Sequence, residues 1–404
     1  MKNLKKTTLK LLNYCRVNHW EGYDPYDALN SRLFRLLPFL DSRFPRIAFI
    51  QALKRAPFNL RPLLLIPKTQ NPKAMGLFLM ALLKLDRLGQ LDQGGLIPMI
   101  IDRLSALRSP GMSYYCWGYS FPWQTRTVIV ARGAPNLVCT IFVADALLDA
   151  FEDGRDERCL SMAHSAAQYI LDELYWIENG STAGFSYPVP GLKTEIHNAN
   201  FLASALLGRI HKHTGEKKFL EPALNAARYS SSKQNDDGSW YYGELPKQRW
   251  VDNFHTGFNL GALRDLGQHL GTSEFDLNIQ RGFTFYLQNF FTENGAPKYF
   301  HDRTYPIDIH SVAQSIITLL EFGHLNGAAI ERACSVYSWA MDNMWDSRGY
   351  FYYRSYPLGR SKISYMRWSQ AWMLLALSSL LEETSGVPGR LTADMNLSNQ
   401  GNQG

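Results

Sequence analysis

The sequence predicts an all-α fold, an (α/α)6 toroid of six helical hairpins with short aromatic extended segments at one rim. Three observations predict it: very apolar helices recur six times along the chain, amphipathic helices separate them, and glycine-anchored aromatic segments follow the amphipathic helices. Apolar helices bury most surface as an inner ring and amphipathic helices as an outer ring, so the hairpins are expected to close on themselves.

The apolar helices give the clearest repeat. They are rich in Ala and Leu, and their starts lie about 63, 62, 58, 55 and 58 residues apart, a near-constant period that indicates a repeated structural unit. They begin near Lys73, Asn136, Asn198, Thr256, Ser311 and Ser369.

The amphipathic partners lie between these helices, at 91–107, 159–174, 219–233, 275–290 and 328–344. Each is followed by a segment that begins with glycine and is rich in aromatic residues, at 111–119, 184–187, 238–243, 295–300 and 349–353. This composition favours short extended stretches at one rim, although it does not predict a sheet.

The two ends of the chain differ from the repeats. Residues 1–70 are expected to form an N-terminal helical cap that completes the first hairpin, because they contain helices but no aromatic segment. The toroid is expected over 71–383. The polar residues 384–404, with Gly and Asn at the end, are typical of a disordered tail.

Composition excludes several classes of protein. The 404 residues are 46% hydrophobic and 19% charged, and a net charge of +6 without a dense basic tract argues against nucleic-acid binding. No apolar run reaches the length of a membrane span, and the N-terminus lacks the apolar core of a secretory signal. Five scattered cysteines indicate neither disulfides nor a thiolate zinc site. A cytoplasmic protein without cofactor or metal is therefore expected.

A short motif precedes three consecutive apolar helices. The sequence reads Glu195-Ile196-His197, Asn253-Phe254-His255 and Asp308-Ile309-His310, which places His197, His255 and His310 at one mouth of the ring. We expect these histidines to act as general acids or bases or to orient a ligand, with Asp252 and Asp308 as carboxylates. The competing interpretation is that the acidic and amide residues are ordinary helix N-caps copied with the repeat. A histidine metal site lacks the close spacing that would make it specific.

The loops at the same rim are basic and aromatic, a mixture suited to acidic sugars. Arg303 and Arg367 are predicted anion clamps, Trp240 and Trp250 are predicted stacking faces, and Tyr305, Tyr365 and Gln370 are further predicted substrate contacts. Solvated loops are the alternative for any one of these residues. The acidic and aromatic run at 20–27 is expected either to fold over the mouth and donate a carboxylate or to pack the cap.

Two resemblances bear on function. The segment WEGYDPYDALN at 20–30 resembles VpsJ-like proteins of exopolysaccharide and capsule gene clusters, and the six-hairpin plan resembles six-hairpin glycosidases, N-acylglucosamine 2-epimerases and glucuronyl C5-epimerases. These resemblances imply a carbohydrate substrate and a role in polysaccharide assembly. The run QNDDGSW at 234–240 is similar to an element of squalene cyclases, but the chain lacks the acidic motif that their chemistry needs.

The sequence therefore predicts an enzyme of polysaccharide biosynthesis or modification that epimerises or eliminates at a uronic acid in the mouth of the toroid. Glycoside hydrolysis by Asp252 and Asp308 is one alternative. A glycan-binding scaffold without catalytic activity is another. The expected partner is an oligosaccharide or polysaccharide, and proteins of polysaccharide synthesis are a second candidate.

Overall fold

The computed structural model describes residues 2–91 and 94–386, and α-helices make up most of this part of the chain. The α-helices are α1 (Lys2–Val17), α2 (Arg32–Arg35), α3 (Arg43–Arg55), α4 (Pro72–Arg87), α5 (Leu96–Ala106), α6 (Leu137–Glu152), α7 (Arg158–Tyr169), α8 (His197–Thr214), α9 (Leu220–Ser231), α10 (Asn253–Leu270), α11 (Asp276–Asn289), α12 (Ile309–Glu321), α13 (Ala329–Met344) and α14 (Trp372–Thr384).

Six of these helices form a closed inner ring. Helices α4, α6, α8, α10, α12 and α14 each contact the next in turn, and α14 contacts α4. The outer helices α5, α7, α9, α11 and α13 pack on the inner helices that precede them, and α1 packs on α14. The predicted all-α toroid of six hairpins is thereby confirmed.

Burial follows the two helix types. In α6, 12 of the 16 residues are buried, as expected for a helix with neighbours on most sides. In the outer helix α7, the buried residues recur at helical spacing along one face. They are Cys159, Met162, Ala163, Ala166, Ala167 and Tyr169.

All six inner helices begin at the same end of the ring, because the outer helix of each hairpin returns the chain to that end. We call this end the mouth, and the opposite end, where the inner helices finish, the base. Aligned backbone dipoles give each helix N-terminus partial positive charge, so the mouth is the electropositive end of the inner ring.

Nine short strands accompany the helices: β1 (Trp123–Gln124), β2 (Ile129–Val130), β3 (Tyr175–Glu178), β4 (Thr182–Phe185), β5 (Ile307–Asp308), β6 (Trp345–Asp346), β7 (Tyr350–Phe351), β8 (Arg354–Tyr356) and β9 (Gly359–Ser361). They form three antiparallel pairs and one three-stranded sheet in the order β5-β8-β9. The sequence did not predict this sheet, because its strands have only two or three residues and no apolar alternation to detect.

The segment between α1 and α4 lies along the edge of the mouth. Gly22 pairs with Thr69, and Tyr23 pairs with Tyr365 just before α14. A β-carbon on Gly22 would lie 2.5 Å from that of Met366, so only glycine permits this approach. A small second core fills the rest of the segment, with Ala28, Leu29, Phe34, Ile50, Leu53 and Ile66.

The predicted disordered tail, 384–404, lies outside the described residues from 387 onward, and α14 ends at Thr384. Within 2–91 and 94–386, no helix combines the length and the apolar character that crossing a membrane requires.

Candidate active site

We refer to the centre of the mouth, on the axis of the ring, as the cleft. Rings from three inner helices that are not neighbours meet there: Phe142 lies 5.5 Å from Phe258 and 5.3 Å from Trp372, between ring centroids. Phe142 and Phe258 keep 9% and 7% of their surface exposed, whereas Leu260, on another face of α10, keeps none. Solvent therefore reaches the axis-facing side chains, and these aromatic rings form the floor of the mouth.

Lys73, at the start of α4, points to this floor. Its Nζ lies 3.8 Å from the centroid of Phe142 and 5.3 Å from that of Trp372. Burial, together with the positive charge of Arg367, lowers the pKa of Lys73 well below its ordinary value. No ion pair joins Lys73 to a carboxylate in the described part of the chain. The amine lies among aromatic rings, and Cys139 and Asp24 are near enough to oppose the lowering of its pKa.

Asp252 and His255 form a hydrogen-bonded pair at the start of α10. Nδ1 of His255 lies 2.7 Å from one oxygen of Asp252, which also accepts from Nε1 of Trp250 at 3.0 Å. The other oxygen of Asp252 caps the helix by accepting from the backbone N–H of His255. Asp252 is buried, whereas 21% of the His255 side chain is exposed. The carboxylate thus fixes the imidazole and leaves Nε2 accessible to a ligand.

His310 lies in an aromatic cage beside this pair. Its ring stacks on Phe254 at 4.5 Å and lies 4.7 Å from Trp368 and 4.6 Å from Trp372. Both ring nitrogens are buried, and neither has a hydrogen-bond partner among the described residues. Burial, reinforced by the charges of Lys73 and Arg367, lowers the pKa of His310 well below its ordinary value, so the ring is neutral at neutral pH. Two unpartnered buried nitrogens indicate a position prepared for a ligand.

Asp308 is saturated with hydrogen bonds. One oxygen accepts from the backbone N–H of His310 and from Nε1 of Trp368, and the other accepts from Nε of Arg354 at 2.6 Å. Its side chain has no exposed surface. Asp308 therefore combines the N-cap of α12 with a buried ion pair to strand β8.

Arg367 lies at the floor of the mouth but is not a free anion clamp. Its guanidinium makes two hydrogen bonds to Asp24, at 2.7 and 2.8 Å, and lies 4.9 Å from the ring of Tyr119. Asp24 belongs to the N-terminal run that the sequence placed either over the mouth or in the cap. The run lies against the mouth, where Tyr26 contacts Trp368, and its carboxylate binds Arg367 rather than projecting into the cleft.

A ring of tyrosines lines the mouth, and the sequence interpretation did not assign them to the site. Burial raises the pKa of each well above its ordinary value, to about 12 for Tyr187, so all of them stay protonated. Each belongs to one glycine-anchored aromatic segment, and this shared place in the repeat is the signal that could have identified them. They are Tyr119, Tyr187, Tyr242, Tyr299 and Tyr353.

Trp250 does present an aromatic face at the mouth. It is half-buried and stacks on Tyr242 with ring centroids 4.6 Å apart and an interplanar angle of 12°. Tyr242 in turn lies 4.7 Å from His255 at an interplanar angle of 48°, so a continuous set of aromatic contacts leads from the rim to the imidazole. Such a surface suits a sugar ring.

Other predicted residues lie away from the cleft. His197 is buried, and its ring nitrogens contact Ser230 of α9 and Glu244. Trp240 is a core residue, 2% exposed, that donates to the backbone of Ser230, so it offers no stacking face. Neither side chain adjoins the imidazoles of His255 and His310.

The remaining predicted contacts are also displaced. Arg303 is exposed and paired with Asp302. Tyr305 lines a separate groove of about 690 Å³ beside strands β8 and β9. Tyr365 is buried, with no partner for its hydroxyl, and Gln370 holds the backbone of Phe351 with hydrogen bonds in both directions. Periodicity placed these residues at the correct end of the ring but did not show which way each side chain points.

Within residues 2–91 and 94–386, no three His, Cys, Asp or Glu side chains are grouped so that they could hold a metal ion.

No protein-family profile matches the chain, and a search of curated proteins found no similar sequence. Solved structures do share the fold. A cellobiose 2-epimerase of Spirochaeta thermophila aligns over 79% of this chain and 87% of its own, with TM-score 0.56 and 13% identity. A family 76 α-mannanase of Bacteroides thetaiotaomicron aligns over 78% of this chain and 86% of its own, with TM-score 0.60 and 10% identity. A sugar epimerase of a ruminal bacterium aligns over 80% of this chain and 91% of its own, with TM-score 0.56 and 12% identity. At such identities the likeness shows the fold and not the reaction.

Proposed function

We propose that the chain is a carbohydrate-active enzyme that moves a proton at a sugar carbon next to a carbonyl or carboxylate group. The reaction is epimerisation or elimination, and the preferred substrate is an acidic sugar. The observation that carries the proposal is the Asp252–His255 pair, which leaves Nε2 of one imidazole open to the cleft beside a second imidazole without partners.

The two histidines suit proton transfer. Asp252 accepts the Nδ1 proton of His255, so Nε2 carries the lone pair that a general base needs. His310 is held neutral and lies close by, since both rings contact Phe254, at 4.3 and 4.5 Å between centroids. One imidazole removes the proton, and the other returns one or protonates the leaving group.

The mouth also favours the negative charge that develops when a carbon loses its proton. Six helix N-termini converge there, and the protonated tyrosines supply O–H donors in a partly dehydrated cleft. The stacked rings of Trp250 and Tyr242 give a sugar ring a face on which to bind. Epimerases and a mannanase on the same fold support a saccharide substrate. We place the enzyme in cytoplasmic exopolysaccharide or capsule synthesis, on the resemblance of residues 20–30.

Hydrolysis by Asp252 and Asp308 has less support. Glycoside hydrolysis needs one carboxyl group that can protonate the leaving oxygen and another that attacks or activates water. Both oxygens of each aspartate accept hydrogen bonds from the protein, and both side chains are buried. Neither group is available to a substrate without first losing these contacts.

The test is incubation of the protein with acidic and neutral oligosaccharides in deuterated water, followed by mass spectrometry and NMR. Epimerisation introduces deuterium at one carbon without changing the composition, and elimination gives an unsaturated product. Products that together have gained one water molecule would instead favour a glycoside hydrolase. Binding of the oligosaccharide without any chemical change to it would favour a non-catalytic scaffold. His255→Gln is expected to abolish the deuterium uptake while retaining the fold.

A further inference from the structure

The side-chain amine of Lys73 lies in surroundings that are unusual for a lysine. Its Nζ lies among rings from α6, α10 and α14, which places it on the axis of the ring. Lysines on the surface keep their amines in water, and Lys84, in the same helix, pairs with Glu382 at 2.8 Å. The amine of Lys73 is instead turned into the floor of the mouth and forms no ion pair with a carboxylate among the described residues.

We propose that Lys73 is a nucleophile that forms an imine with the aldehyde carbon of a reducing sugar in its open-chain form. The proposal deepens the proposed function, on which the choice of a sugar rests. It also assigns the end of the substrate that enters the mouth, because only a free reducing end carries an aldehyde. The reacting carbon is then the one next to that aldehyde.

The step balances without a further reagent. The Nζ lone pair forms a bond to the aldehyde carbon while the carbonyl oxygen takes a proton and becomes a hydroxyl. The first proton on that oxygen comes from Nζ, and a second, taken from solvent, lets the hydroxyl leave as water. The imine nitrogen keeps the other Nζ proton and carries the positive charge, and the solvent proton is released again when water hydrolyses the imine. The cationic imine acidifies the neighbouring C–H, from which His255 removes the proton, and water hydrolyses the imine after the proton returns. His310, which contacts the ring of Trp372 as Lys73 does, is the adjacent group for the proton transfers.

A lysine attacks a carbonyl only as the neutral amine. Desolvation by the aromatic rings and repulsion by Arg367 both favour that form, and the lowered pKa of Lys73 agrees with it. A simple cation–π contact is the alternative, in which the ammonium is held permanently over Phe142 and does not react.

Reductive trapping distinguishes an amine that forms an imine from an ammonium that only contacts the ring of Phe142. The full chain is incubated with glucose, glucuronic acid or glyceraldehyde and sodium cyanoborohydride, and peptide mapping locates the adducts. We expect labelling of Lys73 to exceed that of exposed Lys218 by roughly tenfold or more at pH 7, because each pKa unit changes the neutral fraction tenfold. Lys73→Arg should lose this adduct and retain the adduct at Lys218. Absence of labelling at Lys73 with every aldehyde, glyceraldehyde included, would overturn the proposal.

Two further variants separate this proposal from the proposed function. Lys73→Met, with its thermal midpoint measured, retains the apolar contacts and shows whether the position tolerates loss of the amine. His255→Gln should still trap sugar at Lys73, because imine formation precedes its step. Deuterium exchange that continues unchanged in folded Lys73→Met would overturn the imine and leave the histidine chemistry intact, whereas trapping without any exchange in the parent protein would remove the proposed function and leave the imine.

Discussion

The inner helices carry ionisable side chains at both ends of the toroid, and the two ends differ in how these side chains are paired. At the base, Arg209 bridges α8 to α6 through Asp149 at 2.6 Å and Glu152 at 2.7 Å. Lys84 and Arg87 share Glu382 in the same way. At the mouth, His310 and Lys73 are also buried, but among the described residues the ring nitrogens of His310 have no hydrogen-bond partner and Lys73 forms no ion pair.

This contrast separates stability from function. A buried charge or polar group is costly unless it is paired, and at the base Arg209, Lys84 and Arg87 meet that requirement through a network of ion pairs. At the mouth, several buried polar groups on the axis remain unpaired, so the free-energy cost of burying them is not offset there. Unpartnered polar groups that converge on a cleft are expected where a ligand supplies the missing contacts.

The largest effect is expected at the mouth. Replacing His255 by Gln should lower the rate of deuterium exchange into the sugar by about a hundred-fold to ten-thousand-fold, the range that general acid–base groups contribute. The thermal midpoint should change little, because the side chain is partly exposed. His324→Gln, a change near the base, is the matched control and should exchange at the parent rate. An unchanged rate in the His255 variant would remove this residue from the mechanism.

The base should respond in stability instead. Arg209→Met removes the guanidinium that Asp149 and Glu152 share, and we expect the free energy of unfolding to fall by about 3 kcal/mol in urea titration, with the contact of Glu152 to His213 retained. The exposed pair of Arg155 and Asp86 provides the control, since Arg155→Met should cost under about 1 kcal/mol. Equal losses in both variants would show that the network at the base is no stronger than a surface pair.

Two histidines from the same sequence motif should give opposite results. His310→Leu replaces a buried ring without partners, so unfolding should become harder by about 1 kcal/mol while exchange activity is lost. His197→Leu removes contacts to Ser230 and Glu244 and should destabilise by about 2 kcal/mol. Urea titrations of both variants provide the comparison, and a destabilised His310 variant would show that this ring has a structural role.

The smallest effect is expected in the pH dependence of stability. Burial lowers the pKa of His269, near the base, from 6.5 to about 4, and its Nδ1 has no partner among the described residues. Below pH 6.5 the unfolded chain binds a proton that the folded chain excludes, so this group's contribution to stability is lost as the pH falls towards 4. The loss is about 1 kcal/mol at pH 6. His269→Gln should flatten the curve of thermal midpoint against pH over this range, and identical curves would contradict the assignment.

The sequence predicted the fold well because the toroid is a periodic structure. Six apolar helices at a near-constant spacing determine the inner ring, and the amphipathic helices between them face it on one side. The sheet of β5, β8 and β9 was not predictable, since strands that contribute only two or three residues carry no pattern of their own.

For the candidate site, the motif before the inner helices placed the predicted residues at the mouth of the ring but did not give the orientation of each side chain. His197, His255 and His310 occupy similar sequence positions, yet His197 turns towards the outer helix α9 and the other two lie by the axis. The five tyrosines share one position in the repeat and could have been identified from it, whereas Lys73 was missed because its surroundings depend on packing from other hairpins. Spacing records distance along the chain and contains no information on such contacts.

The ring is closed by the two ends of the sequence. Helix α1 packs on α14, Tyr23 pairs with Tyr365, and Asp24 binds Arg367 across 343 residues of chain. Loop closure over such a separation is entropically costly and comes late when a chain emerges from the ribosome. Most of the inner helices can therefore assemble during synthesis, but the floor of the mouth becomes complete only when residue 372 has left the ribosome. The order of synthesis thus keeps the buried amine and imidazoles from being enclosed until α14 is available.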